Sequence, residues 1–64
     1  MFQPNDIIVA IDNPEWGTWR VLEDNSDHLV IRGKSGARVL HYSEAATHWR
    51  YHLRDLRLRP AASQ

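Results

Sequence analysis

The chain lacks cysteine and long apolar runs. With no cysteine among its 64 residues, disulfide bonds and thiolate metal sites are excluded. The longest apolar run, residues 7–11, is far shorter than the roughly 20 residues that cross a bilayer as a helix, and no secretory leader pattern follows Met1. We therefore expect a cytoplasmic protein without membrane contact. A domain this short buries only about 60% of its unfolded surface, which makes oligomerisation the remaining route to extra stability.

Lysine is also scarce, and the positive charge comes almost entirely from arginine. The formal net charge is zero, but residues 1–31 hold six acidic residues and one arginine, whereas residues 32–64 hold seven basic residues and two acidic ones. If the first and last strands are neighbours, Asp6 and Asp12 lie near Arg57 and Arg59 and the two halves neutralise each other. The same split also fits a nucleic-acid surface, because arginine pairs with phosphates as well as carboxylates.

Short alternating segments separated by turn residues predict an all-β domain. Strands are expected at residues 6–11, 17–23, 28–32 and 37–42. The turn residues at 24–27 join the second and third strands, and the glycines of 33–36 form a tight hairpin before the fourth.

Residues 43–59 fit two structures. Ala46, Trp49, Leu53 and Leu56 have the spacing of an amphipathic helix, which Ser43 would cap. Residues 48–54 nevertheless alternate strictly between polar and apolar, and residues 56–59 alternate again one residue out of phase. We favour strand, turn, strand, with a short turn or helical twist at 43–46.

Two sets of apolar residues emerge if the strands have two faces. The expected inner face supplies the core: Ile7, Val9, Ile11, Trp19, Val21, Leu29, Ile31, Leu40, Tyr42, Trp49, Tyr51 and Leu53. The aliphatic residues that remain on the outer face are Ile8, Ala10, Leu22, Val30 and Val39. A sheet with one wet face carries polar residues at such sites, so we predict that Ile8, Leu22, Val30 and Val39 mediate self-association.

The order of short strands and turns resembles the SH3-like small barrel. The resemblance is carried by three segments: Phe2-x-Pro4-Asn5-Asp6-Ile7-Ile8-Val9, Gly17-x-Trp19-x-Val21 and Leu53-x-x-Leu56-x-Leu58. It implies an antiparallel barrel of five or six short strands, here a single domain over residues 1–59 with a frayed tail at 60–64. Many unrelated proteins share this fold, so it implies no function. In size and style the chain is also similar to the orphan proteins encoded by mobile integron gene cassettes.

The residues that carry catalytic or metal chemistry form no recognisable motif. His48 and His52 have the spacing of a metal pair on a helix, but on a strand they lie about 13 Å apart, too far to share an ion. No nucleophile elbow or phosphate-binding glycine loop is present. We therefore expect no metal, no cofactor and no enzymatic activity, and the alternative is an oligomeric enzyme with its site between subunits.

An aromatic and basic surface is the remaining candidate for a partner. Trp16 lies in a loop, where its indole either covers one end of the barrel or contacts a partner, and the arginines expected to share a face with it are Arg50, Arg54, Arg57 and Arg59. The predicted function is a non-enzymatic interaction module that acts as a homo-oligomer. The alternative is a small nucleic-acid-binding barrel whose C-terminal arginines contact phosphates.

Overall fold

The computed structural model describes residues 2–54, which form one antiparallel sheet and two short helices. The strands are β1 (Asp6–Ala10), β2 (Thr18–Asp24), β3 (His28–Gly33), β4 (Gly36–His41) and β5 (Trp49–Arg54). A 3₁₀ helix (Pro14–Trp16) precedes β2, and α1 (Tyr42–His48) links β4 to β5. The strand order is β4-β3-β2-β1-β5. The predicted all-β class and the first four strands are confirmed, each to within a residue or so at either end.

Two turns are fixed by residues that tolerate a positive φ. Asn5 has φ 76° in the turn that begins β1, and the Asp6 amide donates to the Gln3 carbonyl oxygen at 3.0 Å. In the β3–β4 hairpin, Gly33 pairs with Gly36, and φ at Gly36 is 116°. Side chains rarely adopt such backbone angles, so this position favours glycine.

The expected inner face of β1 is wrong by one residue. Ile8 and Ala10 are buried in the core, while Ile7 and Val9 lie half-buried on the opposite face and Ile11 is exposed. The five apolar residues at 7–11 do not alternate, so their pattern cannot set the phase. Packing decides which face of β1 is buried, because Ala10 lies opposite the large Trp49 of β5 and leaves room for its indole. Ile8 is fully buried, so its predicted role in self-association is wrong.

The other expected core residues differ in how deeply they are buried. Those confirmed as buried are Trp19, Val21, Leu29, Ile31, Leu40 and Trp49. Tyr42 is half-buried against this core, whereas Tyr51 and Leu53 are exposed, which corrects their assignment to it.

The ambiguous segment combines a helical turn with a strand. α1 extends beyond the predicted twist at 43–46 and buries Ala45, and the predicted strand follows as β5, in which only Trp49 is buried. The ladder slips between Ile7, which lies opposite Leu53, and Ile8, which lies opposite Tyr51. This bulge turns Leu53 to the face of Ile7. The predicted second run at 56–59 and the tail at 60–64 lie outside the described residues.

Within residues 2–54, neither helix approaches the length or the apolar character that a membrane crossing requires.

Candidate interaction surfaces

Three tryptophans form a connected cluster at one end of the sheet. The ring centroids of Trp19 and Trp49 lie 5.9 Å apart in an edge-to-face arrangement, and those of Trp49 and Trp16 lie 6.3 Å apart with tilted planes. Trp19 and Trp49 are buried, as expected for core residues. Trp16 is half-buried and packs against the core from the 3₁₀ helix, so it covers this end of the sheet.

Gly33 lets the Trp19 indole lie directly against the β3 backbone. A Cβ built at Gly33 would stand 2.6–2.8 Å from three carbon atoms of the ring, well inside van der Waals contact. The hairpin tip therefore sits close to the start of β2, and Trp16 lies beside them.

A groove of about 510 Å³ opens beside this cluster. It is bounded by the 3₁₀ helix with the start of β2 and by the β3–β4 hairpin, and its lining comprises Ile7, Trp16, Gly17, Thr18, Trp19, Arg20, Arg32, Gly33 and Lys34. Three of these side chains are cationic and none is acidic. We call this feature the cationic groove; its volume lies within the usual range for ligand sites.

The register concentrates positive charge in the groove. Arg20 and Arg32 lie directly opposite each other on β2 and β3, a placement of like charges that opposes folding. Arg32 and Lys34 are exposed, and neither forms an ion pair with another described residue. Arg38 does not line the groove, but it stacks on Trp16 with its guanidinium carbon 5.0 Å from the ring centre.

The register places the two described members of the predicted arginine stripe, Arg50 and Arg54, on opposite faces of β5. Trp16 lines the groove, and Arg50 is exposed on β5 opposite Val9. The bulge in β5 places Arg54 opposite the buried Asp6, with its Nε atom 3.3 Å from the carboxylate. The prediction that Arg54 lies on the outer face is therefore wrong. The Arg54 guanidinium also donates to the Gln3 side chain at 2.8 Å. Arg57 and Arg59 lie outside the described residues.

Sequence reasoning missed Arg20, Arg32 and Lys34. The sequence does contain a signal for the first two of these residues. If the strands on either side of the turn at 24–27 are paired outward from it, residue 20 comes near residue 32.

Three of the predicted self-association residues lie close together on β2–β4. Val30 and Val39 are direct cross-strand partners, and Leu22 lies at the bulge in β2, between Val21 and Glu23. Leu22 is 40% exposed and Val39 56% exposed, while Val30 is half-buried. We call these three residues the apolar patch.

Negative charge gathers at the opposite end of the β2–β3 hairpin. Glu23, Asp24 and Asp27 are all exposed there, and we call them the acidic end. The Tyr42 hydroxyl donates to the Asp24 carboxylate, which raises the pKa of Tyr42 above its usual 10.0. A hydrogen bond with His28 at 2.8 Å lowers the pKa of Asp27 below its usual 3.8.

Two histidines contact carboxylates, His28 that of Asp27 and His48 that of Asp12. His48 lies 2.9 Å from Asp12, and the rings of His28 and His41 are 6.4 Å apart across β3 and β4. Among residues 2–54, no three histidine or acidic side chains converge as a metal site would require.

The surfaces that the described residues offer are thus a cationic groove, an apolar patch and an acidic end. Comparisons of the chain with models of protein families, with curated proteins and with solved structures give no significant match.

Proposed function

We propose that the protein is a non-enzymatic interaction module that works as a homo-oligomer, built on a small SH3-like barrel. The strand order supports the barrel. Strands β1 to β4 follow one another as neighbours, and α1 returns the chain so that β5 pairs with β1. In a barrel of this kind, one face of the strands fills the interior, which fits the contiguous core of small and large apolar residues.

The exposure of the apolar patch carries the proposal of self-association. Val39 is more exposed than any other large aliphatic residue of the described chain, and it lies on β4, at one edge of the sheet. An edge strand that also carries exposed aliphatic side chains favours contact with another chain, and within residues 2–54 no strand pairs with the outer side of β4. Burying a fully exposed aliphatic side chain contributes about 1.5–3 kcal/mol, and the partly exposed side chains of the patch contribute roughly half of that or less toward association.

Light scattering on a pair of lysine variants tests the proposal. Val39→Lys introduces a charge into the apolar patch, so we expect the oligomer to dissociate while the circular dichroism spectrum is retained. Ala46→Lys is the matched control, because Ala46 is exposed on α1 and away from the patch. Equal masses for the wild type and Val39→Lys would contradict a role for the patch.

A nucleic-acid-binding barrel is the second candidate, favoured by the exposed cations Arg32, Lys34 and Arg50. Fluorescence anisotropy with a labelled single strand tests it. For binding through phosphates, the logarithm of the association constant falls linearly with the logarithm of the salt concentration. Replacing one contacting arginine reduces the steepness of that line by about 1. Absence of binding at low salt would remove this candidate.

A further inference from the structure

The two edges of the sheet differ in how well they are protected. The β5 edge is interrupted by its bulge and carries two arginines, Arg50 and Arg54. β4 pairs with β3 over six positions without a register shift, and its exposed residues are Ala37, Val39 and His41. Bulges and charged side chains are among the means by which natural edge strands prevent pairing with another chain. Among the described residues, β4 is therefore the edge that stays open to a further strand.

Alternate residues of β4 turn their backbone groups away from β3. The amide of Tyr42, the residue that follows β4, donates to the Asp27 carbonyl oxygen at 3.1 Å. In an antiparallel ladder, such hydrogen-bonded pairs alternate with pairs that are not hydrogen-bonded. The N–H and C=O groups of Ala37, Val39 and His41 therefore point outward, and none of the described strands lies on that side.

We propose that β4 pairs with β4 of a second copy in antiparallel register, about a two-fold axis at Val39. This inference rests on the proposed homo-oligomeric function and names the interface that builds it. The outward-pointing backbone groups then bond across the axis, Val39 to Val39 of the second copy and Ala37 to His41 of the second copy. Such a contact is isologous, so it closes as a dimer and leaves neither copy of β4 open.

Self-complementarity of the strand identifies a second copy as the occupant. In this register the two copies of Val39 meet, and each has Val30 as its neighbour on β3, so four valines form one row. Arg38 is the formal charge of the strand, and it lies opposite Leu40 of the second copy rather than opposite itself. Its guanidinium is held on Trp16 within the subunit. Like charges therefore do not face each other across the axis.

The ends of the paired strands are complementary in charge. The two-fold axis brings the hairpin tip of each copy, which carries Lys34, towards the start of α1 of the other copy, which carries Glu44. Neither side chain forms an ion pair with another described residue. An unrelated extended peptide supplies neither this acidic residue nor the matching valine, so a second copy fits the edge better.

A proline at position 41 tests the backbone pairing and leaves the subunit intact. His41 has a φ of −68°, which is the angle that proline requires, and its N–H points away from β3. His41→Pro removes two symmetry-related hydrogen bonds, and its ring obstructs the second strand. We expect it to self-associate at least about tenfold more weakly than the wild type in sedimentation equilibrium. His41→Ala keeps the N–H and is the matched control, which we expect to retain the wild-type mass. Circular dichroism checks that both variants are folded.

Single cysteines test the register, since the chain has none of its own. Directly opposed residues of an antiparallel pair have Cα atoms about 4.5–5.5 Å apart, which lies within the span of a disulfide. Val39→Cys should therefore form a covalent dimer on oxidation. Ala37→Cys should not, because the two copies of residue 37 lie roughly 13 Å apart along the strands. An equimolar mixture of Ala37→Cys and His41→Cys should again form the covalent dimer.

The outcomes separate this inference from the proposed function. A wild-type mass of twice 7.5 kDa that falls in His41→Pro but not in His41→Ala supports the two-fold dimer. A wild-type oligomer that persists in a folded His41→Pro, or a Val39→Cys variant that forms no covalent dimer, overturns the pairing of β4 strands but leaves the proposed homo-oligomer standing. If His41→Pro does not fold, the cysteine variants decide alone. A wild type with a mass of 7.5 kDa at every concentration overturns both proposals.

Discussion

Replacing Gly33 with alanine tests the contact that joins the hairpin to the tryptophan cluster. The new Cβ would lie 2.6, 2.7 and 2.8 Å from Cδ2, Cε2 and Cε3 of Trp19, so the ring or the strand must move by about 0.8 Å or more. Trp19 is only 4% exposed and packs edge-to-face on Trp49, which leaves it little space. Overpacking of this kind costs about 1–3 kcal/mol.

The expected sign is opposite to that of an ordinary glycine substitution. In a strand without such a contact, glycine to alanine gains about 0.5–1 kcal/mol, because it reduces the entropy of the unfolded chain. At Gly33 we expect a net loss of about 2 kcal/mol, measured by urea unfolding followed by tryptophan fluorescence. For a domain of this size, that loss lowers Tm by roughly 8–16 °C.

A double-mutant cycle separates the steric cause from other effects. Trp19→Leu removes the ring, so Gly33→Ala should cost much less in that background. If Gly33→Ala lowers the free energy of unfolding equally in both backgrounds, or stabilises the protein, then a clash with the Trp19 ring is not the cause.

Two further predictions concern polar contacts. Arg54→Met leaves the buried Asp6 carboxylate without its cation. Since Arg54 is partly exposed, we expect the free energy of unfolding in urea to fall by about 1.5–3 kcal/mol. A fall of less than about 0.5 kcal/mol would contradict the pairing. Because the pKa of Tyr42 is raised, its hydrogen bond to Asp24 stabilises the fold below pH 10 and is lost as the pH rises through the raised pKa. Absorbance at 295 nm should therefore show an ionisation above pH 10 that is missing in Tyr42→Phe and shifted down in Asp24→Asn; an unchanged titration in Asp24→Asn would rule out this cause.

Local patterns in the sequence predict most of the strands. Alternation locates β2, β3 and the start of β5, and glycine and acidic turn residues locate the hairpins. These signals are local, since side chains alternate between faces and turns require particular backbone angles.

The phase of β1 and the bulge in β5 depend on tertiary packing. Either face of an uninterrupted apolar run could be buried, and the choice is made by Ala10 opposite Trp49. The bulge likewise moves Leu53 and Arg54 to faces that strict alternation does not assign. For the same reason Arg50 and Arg54 lie on different faces of β5, whereas the cationic groove arises from pairing between β2 and β3.

The proposed function depends on self-association, which the solution mass of the wild type measures. Light scattering over a dilution series, at about 0.15 M and about 1 M salt, compares association at screening lengths of about 8 Å and 3 Å. We expect a mass above 7.5 kDa that rises with concentration or reaches a fixed multiple, and that persists at the higher salt because the apolar patch carries the association. A mass of 7.5 kDa at every concentration and both salts would exclude a homo-oligomer.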